Sequence, residues 1–232
     1  MIAEPVARLD RRHRRRQETV EQVLDVAVAV MAEQGVVGLS LGEVARRMGI
    51  RPPSLYVYFE SKNALYDAIF ARGSRELMAT MEPLNARVSE ATDLTAYFLE
   101  QAQALVRWSV EHPAYSQLMF WRPVPNYEPS AAAYEPAVEL LAGARTLFAV
   151  LRERGLFRAD TDVDDALRAW TMLTAGVMTQ QLANAPHESF DEGSFTTQLP
   201  ELVAMFLAHY GSPTTITKMR RTSHGNASRP DR

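Results

Sequence analysis

The sequence predicts an all-α protein of about nine helices, and three observations predict it. Apolar residues recur at three- and four-residue intervals in stretch after stretch, period-two alternation is almost absent, and glycines and prolines punctuate the gaps. From Gln17 to Gln34 the residues Val20, Val23, Leu24, Ala27, Val28 and Met31 form the stripe of an amphipathic helix, ended by Gly35 and Gly38. Ser40, with Glu43 three residues on, has the pattern of a capping box, and Leu39 and Val44 sit where a hydrophobic staple would; a helix starts at Leu41. Gly49 and the Pro52-Pro53 pair end it, because proline suits a first helical turn and not an interior. A short helix then runs from Pro52 to about Phe59. Ser61 caps a longer one, roughly 62–80, closed by Pro83. Further helices are predicted over 93–112, 114–121, 130–154, 162–184 and 194–210, separated by the proline-rich RPVPNYEP after Trp121 and the polar APHESFDEG at 185–193.

Composition narrows the function classes. With 47% apolar and 23% charged residues the chain has the balance of a folded globular protein. It has no cysteine, which removes disulfides, thiol nucleophiles and thiolate metal sites and suits a reducing cytoplasm. No apolar run reaches the roughly 18 to 20 residues that span a bilayer, so a soluble, unsecreted protein without membrane partners is expected. Phosphate-binding glycine loops, G-x-S-x-G and H-E-x-x-H are absent, and the five histidines show no paired spacing. Asp162, Asp164 and Asp165 stand at a predicted helix start, where carboxylates cap. No enzyme activity, catalytic residue, cofactor or metal is expected.

Charge is unevenly placed. Residues 1–75 carry 12 Lys+Arg against 9 Asp+Glu, residues 76–211 carry 8 against 18, and residues 212–232 carry 5 against 1. Arg8, Arg11, Arg12, Arg14, Arg15 and Arg16 crowd the first sixteen positions. A basic end on an acidic body fits a nucleic-acid contact confined to one region, and equally a solvated tail.

The segment 39–62 is more specific. Two short helices joined by a glycine turn are a helix-turn-helix, whose second helix enters the DNA major groove; an ordinary helical hairpin has the same outline. Ala45 is small where the helices approach, and Val44, Met48, Ile50 and Leu55 can share a miniature core. If Leu55 and Phe59 face inward, then Pro53, Ser54, Tyr56 and Tyr58 lie on or near the opposite surface, with Arg51 in the turn. Two tyrosines there either meet a partner such as DNA or pack on the first helix. Lys62 opens the next helix, whose free N–H groups favour phosphate, and Arg14, Arg15 and Arg16 can add phosphate or minor-groove contacts.

From about Arg16 to Leu65 the chain resembles the TetR family of bacterial transcriptional regulators. The resemblance is carried by an apolar first helix ending in glycine and by LSLGEVARRMGIRPPSLYVYFESKNAL. It implies an N-terminal three-helix DNA-binding domain, followed by a divergent helical domain that binds a small-molecule effector and forms a homodimer. On that resemblance the chain divides into a basic disordered arm (1–16), the helix-turn-helix domain (17–62), the effector-binding and dimerisation domain (63–211) and a disordered basic tail (212–232). Ser40, Pro53, Ser54, Tyr56, Tyr58 and Lys62 occupy positions where family members touch DNA, and Gly42 stands where a contacting side chain is often found. Double-stranded DNA with a palindromic operator, a second copy of the chain and an effector of unknown identity are the implied partners. Repression relieved by the effector is the expected output. A dimeric helical ligand- or partner-binding module with weak or vestigial DNA binding is the alternative.

The family builds its dimer from helices placed like 162–184 and 194–210. Here Leu199, Leu202, Val203, Phe206 and Tyr210 form an apolar stripe, while Ala166, Ala169, Ala175 and Gly176 permit close approach. An effector pocket would draw on Tyr97, Trp108, Met119, Phe120, Trp121, Phe148, Trp170 and Met178, with Gln180 or Gln181 as polar contacts. Taken singly, an aromatic or methionine at helical spacing is more often plain core.

Overall fold

The first helix, α1 (Ala3–Gln34), is longer than its apolar stripe requires in the computed structural model, which describes residues 3–226. Residues 3–16 are therefore helical and not the disordered arm that the sequence predicts. Arginine, alanine and glutamine are good helix formers, and extending an existing helix needs no second nucleation. The side chains of Arg8, Arg11 and Arg12, and residues 227–232 of the expected tail, lie outside the described residues.

After a 3₁₀ turn, Val36–Gly38, come α2 (Leu41–Arg47) and α3 (Pro52–Leu55), then α4 (Lys62–Ala86), α5 (Leu94–Glu111), α6 (Pro113–Ser116), a π-helical turn Gln117–Trp121, α7 (Ala131–Glu153), α8 (Val163–Asn184), α9 (Leu199–Tyr210) and α10 (Pro213–Asn226). That makes ten α-helices among the described residues, joined by one isolated bridge, Phe157 to Gly211, and no strand. Pro83, expected to close the helix before it, lies inside α4, and Pro136 lies inside α7, within the stretch predicted to be helical. Each removes one backbone bond near a helix end, and the carbonyl it orphans belongs to an exposed residue, Ala79 or Ala132, where water can replace the donor. The predicted tail is also partly helical. Ser212 accepts from Thr215 N at 3.2 Å to start α10, and Thr215 donates to the Leu156 carbonyl at 2.9 Å. Half-buried Ile216 and Met219 give this basic segment an apolar side that its composition conceals.

The chain forms two compact units. The first takes residues up to Gly73 together with Pro113–Glu135, and the second takes Ser74–His112 with the chain from Pro136 onward. In the first, Val23, Ala27 and Val30 of α1 close over Leu39, Val44, Leu55, Leu65 and Ile69. The segment 122–130 is tied back to α4 within the same unit: Asp67 accepts from the Tyr127 hydroxyl at 2.9 Å and from Ser130 N at 3.2 Å, and the Tyr127 ring lies 5.1 Å from that of Tyr66.

The second unit is organised around Phe98, whose ring centroid lies 4.5 Å from that of Trp170, 5.6 Å from Phe157, 5.7 Å from Phe148 and 5.8 Å from Phe206. Asp93 and Asp162 cap α5 and α8 by accepting backbone N–H groups. No helix among the described residues is long and apolar enough to cross a membrane.

Candidate nucleic-acid interface

The short helix pair is assembled from its turn. Gly49 takes φ 67°, a conformation glycine adopts without strain, and Ile50 N donates back to the Ala45 carbonyl at 3.0 Å. Val44 and Ala45 are fully buried, so α2 and α3 approach closely. Leu55 and Phe59 point into the core at 0% and 6% exposure. The opposite side of the same turn is therefore outside: Arg51, Pro53 and Ser54 are exposed, and Tyr56 is 54% exposed. Val57, which the sequence reading passed over, is 65% exposed between the two tyrosines. Its β-branched side chain carries no polar group, so only its position could have singled it out.

Tyr58 departs from the expectation. It is half-buried, with the Arg16 guanidinium 5.4 Å from its ring centre while Arg16 Nη2 donates to the Val57 carbonyl at 3.4 Å. These contacts fix an arginine beside the α3 turn. Lys62 is also engaged: Nζ donates to the Val37 carbonyl at 3.1 Å and lies 5.3 Å above the Tyr66 ring. The Tyr66 hydroxyl donates to the Val36 carbonyl at 2.7 Å, so α4 holds the turn before α2 at two adjacent carbonyls. Burial raises the Tyr66 hydroxyl to about 12, which keeps it a donor at neutral pH.

Ser40 accepts from Glu43 N at 3.1 Å, which is half of the predicted capping box. The returning half is absent because two guanidinium groups take the Glu43 carboxylate, Arg46 Nη2 at 2.7 Å and Arg47 Nε at 2.8 Å. Those bonds hold Glu43 at about 2, below its ordinary 4.5. Arg47 also reaches Glu33 at 2.6 Å, pinning α2 to α1. A Cβ added at Gly42 would meet nothing within 4 Å, so this surface simply lacks a side chain there.

The residues expected to line an effector pocket are divided. Tyr97, Phe148, Trp170 and Met178 are core residues of the second unit, and Trp108 there stacks on His112 at 4.9 Å. Met119, Phe120 and Trp121 belong to the π-helical turn of the first unit. Gln181 is fully buried and structural: its Oε1 accepts from Phe195 N and Thr196 N, and its Nε2 donates to the Ala185 carbonyl. Gln180 is exposed. A groove of about 220 Å³ in the second unit is lined by none of the expected set, but by residues such as Leu99, Val203, Leu207 and Met219, with Asp93 and Lys218 paired at 2.9 Å.

The predicted dimer stripe needs a similar correction. Leu199, Val203 and Phe206 are 0%, 3% and 5% exposed within their own chain and have no surface left to give a partner. Leu202, Tyr210 and Ala169 are half-buried and Gly176 is exposed. The outward apolar residues of α8 and α9 are Met172 and Met205, at 69% and 61%. The stripe's strongest members face the chain's own aromatic core.

Two family profiles match this chain. One described as bacterial regulatory proteins, tetR family, covers residues 23–69, and one described as tetracyclin repressor-like, C-terminal domain, covers residues 98–202. An uncharacterised HTH-type transcriptional regulator of Bacillus subtilis, YobS, is 31% identical over 42% of this chain, a match spanning 49% of its own length. The tetracycline repressor protein class C of Escherichia coli is 25% identical over 83% of this chain and 82% of that protein. A solved bacterial regulatory protein of the tetR family from Rhodococcus RHA1 superposes with a TM-score of 0.64 at 16% identity, covering 83% of this chain and 97% of that one, which establishes likeness of fold.

Proposed function

The chain belongs to the TetR family of bacterial regulatory proteins, and from that premise we propose that it is a transcriptional repressor. As a homodimer it holds a palindromic DNA operator and releases it when a small molecule binds in the second unit. The observation that carries this reading is the α3 turn, where Tyr56 stands 54% exposed beside exposed Arg51, Pro53 and Ser54 while Leu55 and Phe59 anchor the same turn from within. A tyrosine so placed donates to phosphate or lays its ring on a thymine methyl. Arg16 and Lys62 are held at fixed points on either side and supply charge for the backbone, Lys62 through its remaining N–H groups. The name of the Escherichia coli relative supports repression as the output.

Release follows from geometry. Two recognition helices in a dimer must match half-sites about 34 Å apart, or a multiple of that. An effector that binds a differently spaced state about 100-fold better shifts the equilibrium by about 2.7 kcal/mol.

The test begins with selection of bound fragments from the source genome, followed by titration at several salt concentrations. Lys62→Ala weakens binding to every sequence and lowers the log–log salt slope by about 1. Tyr56→Ala costs about 1–3 kcal/mol and alters sequence preference. Unchanged binding in both variants removes the α3 turn from the interface.

A further inference from the structure

Gln101 is 4% exposed in α5, one turn after Tyr97. Its Nε2 donates to the Tyr97 hydroxyl at 2.7 Å, and that hydroxyl donates to the Leu84 carbonyl at 3.0 Å. A phenol has one hydrogen to give. Since Tyr97 spends it on Leu84, Gln101 must present its amide nitrogen to Tyr97, and its oxygen is the atom left over. That Oε1 is buried and has no donor among the described residues. Asn85, the next residue after Leu84 in α4, carries a second buried amide oxygen without a donor. Both leftover atoms are acceptors.

Buried acceptors without partners are destabilising, and methionine or leucine at 101 would avoid the loss. We propose that the Gln101 amide oxygen, beside the Tyr97 hydroxyl, forms the polar anchor of the effector site, and that the effector is a neutral, largely apolar molecule presenting O–H or N–H donors. The proposal rests on the reading that the second unit takes an effector. A carboxylate would bring acceptors to an anchor that is itself an acceptor. An ammonium would surrender its hydration to uncharged amides that cannot offset the loss. The aromatic surroundings, with Tyr97 and Phe98 neighbours in α5, suit an apolar body.

The experiment is calorimetric titration of the full chain with two matched pairs: n-octanol against methyl octyl ether, and para-propylphenol against para-propylanisole. Each pair differs by one donor. The alcohol and the phenol bind wild type about tenfold more tightly than their ethers, and Gln101→Met abolishes the preference while its melting temperature stays level or rises. Gln101→Asn, which withdraws the acceptor but keeps an amide, gives the same loss and stands in if the methionine variant does not fold. Ethers binding as well as their parent compounds, a preference that survives both substitutions, or no binding by any of the four overturns the proposal. DNA release by another compound acting equally on wild type and Gln101→Met leaves the effector reading in place and removes only this anchor.

Discussion

At the scale of single residues, the outward set on α3 was readable because a four-residue repeat decides which side chains face in. Leu55 and Phe59 are four apart and buried, so Tyr56 had to point elsewhere. The partners of Arg16 and Lys62 were not readable, because Val57 and Val37 lie 41 and 25 positions away in sequence and no local period reports such a contact. Gln101 was missed for a related reason: a glutamine among apolar positions looks like a solvent-facing residue until the neighbouring helix is in place. Glu43 gives a prediction at this scale. Its folded value of about 2 lies below the ordinary 4.5, chiefly through its bonds to Arg46 and Arg47. A depressed carboxylate stabilises the fold fully above 4.5, and that contribution fades as pH falls toward about 2. In thermal unfolding followed by circular dichroism, Glu43→Gln should therefore be less stable than wild type at neutral pH, with the gap closing across that window. A gap that stays constant down to the lower limit would mean that the Arg46 and Arg47 bonds contribute nothing to stability.

At the scale of helices, boundaries set by caps and glycines were legible, whereas boundaries set by packing were not. Ser40, Asp93 and Asp162 start α2, α5 and α8 as their sequence positions indicate. Pro83 does not end α4, because one lost bond is a small term beside a long packed face. The N-terminus of α9 was placed too early because Thr196 is drawn out of a regular helix, donating to the Phe190 carbonyl at 2.6 Å. Two glycines in helices give opposite predictions for one substitution. At Gly42 a Cβ meets nothing, so Gly42→Ala stabilises by about 0.5–1 kcal/mol through backbone entropy. At Gly73 in α4 a Cβ would lie 2.6 Å from Tyr115 Cδ1 and 2.8 Å from Met119 Sδ. Overpacking of about 1–3 kcal/mol then outweighs the propensity gain, and Gly73→Ala destabilises. Urea denaturation of the two variants measures both signs; stabilisation at both positions would show that α6 and the π-helical turn yield without cost.

At the scale of the whole molecule, the sequence indicated two functions in two regions but not how the chain divides into compact units. Residues 113–135 fold with the N-terminal unit because Asp67 gathers Tyr127 and Ser130, a link across some sixty positions that local patterns do not encode. The stripe expected to pair two copies lies mostly in the core, since apolar content alone does not tell a core-facing stripe from a partner-facing one. Met172 and Met205 now mark the faces of α8 and α9 that the chain leaves uncovered. Burying a methionine side chain is worth about 1.5–3 kcal/mol, and a twofold interface uses each position twice. A glutamate at either place would have to lose its hydration without a partner, at a cost of several kcal/mol. The Met172→Glu, Met205→Glu double variant should therefore sediment as a single chain of 26.0 kDa where the wild type sediments as a pair. Both residues lie outside the core, so the circular dichroism spectrum should be unchanged. Loss of pairing also removes the fixed distance between two recognition helices, so affinity for the palindrome should fall to that for an isolated half-site, with the half-site affinity itself preserved. A variant that remains paired and keeps its operator would place the interface on another face of the second unit, and a wild type that sediments singly would remove the twofold premise from the repression mechanism.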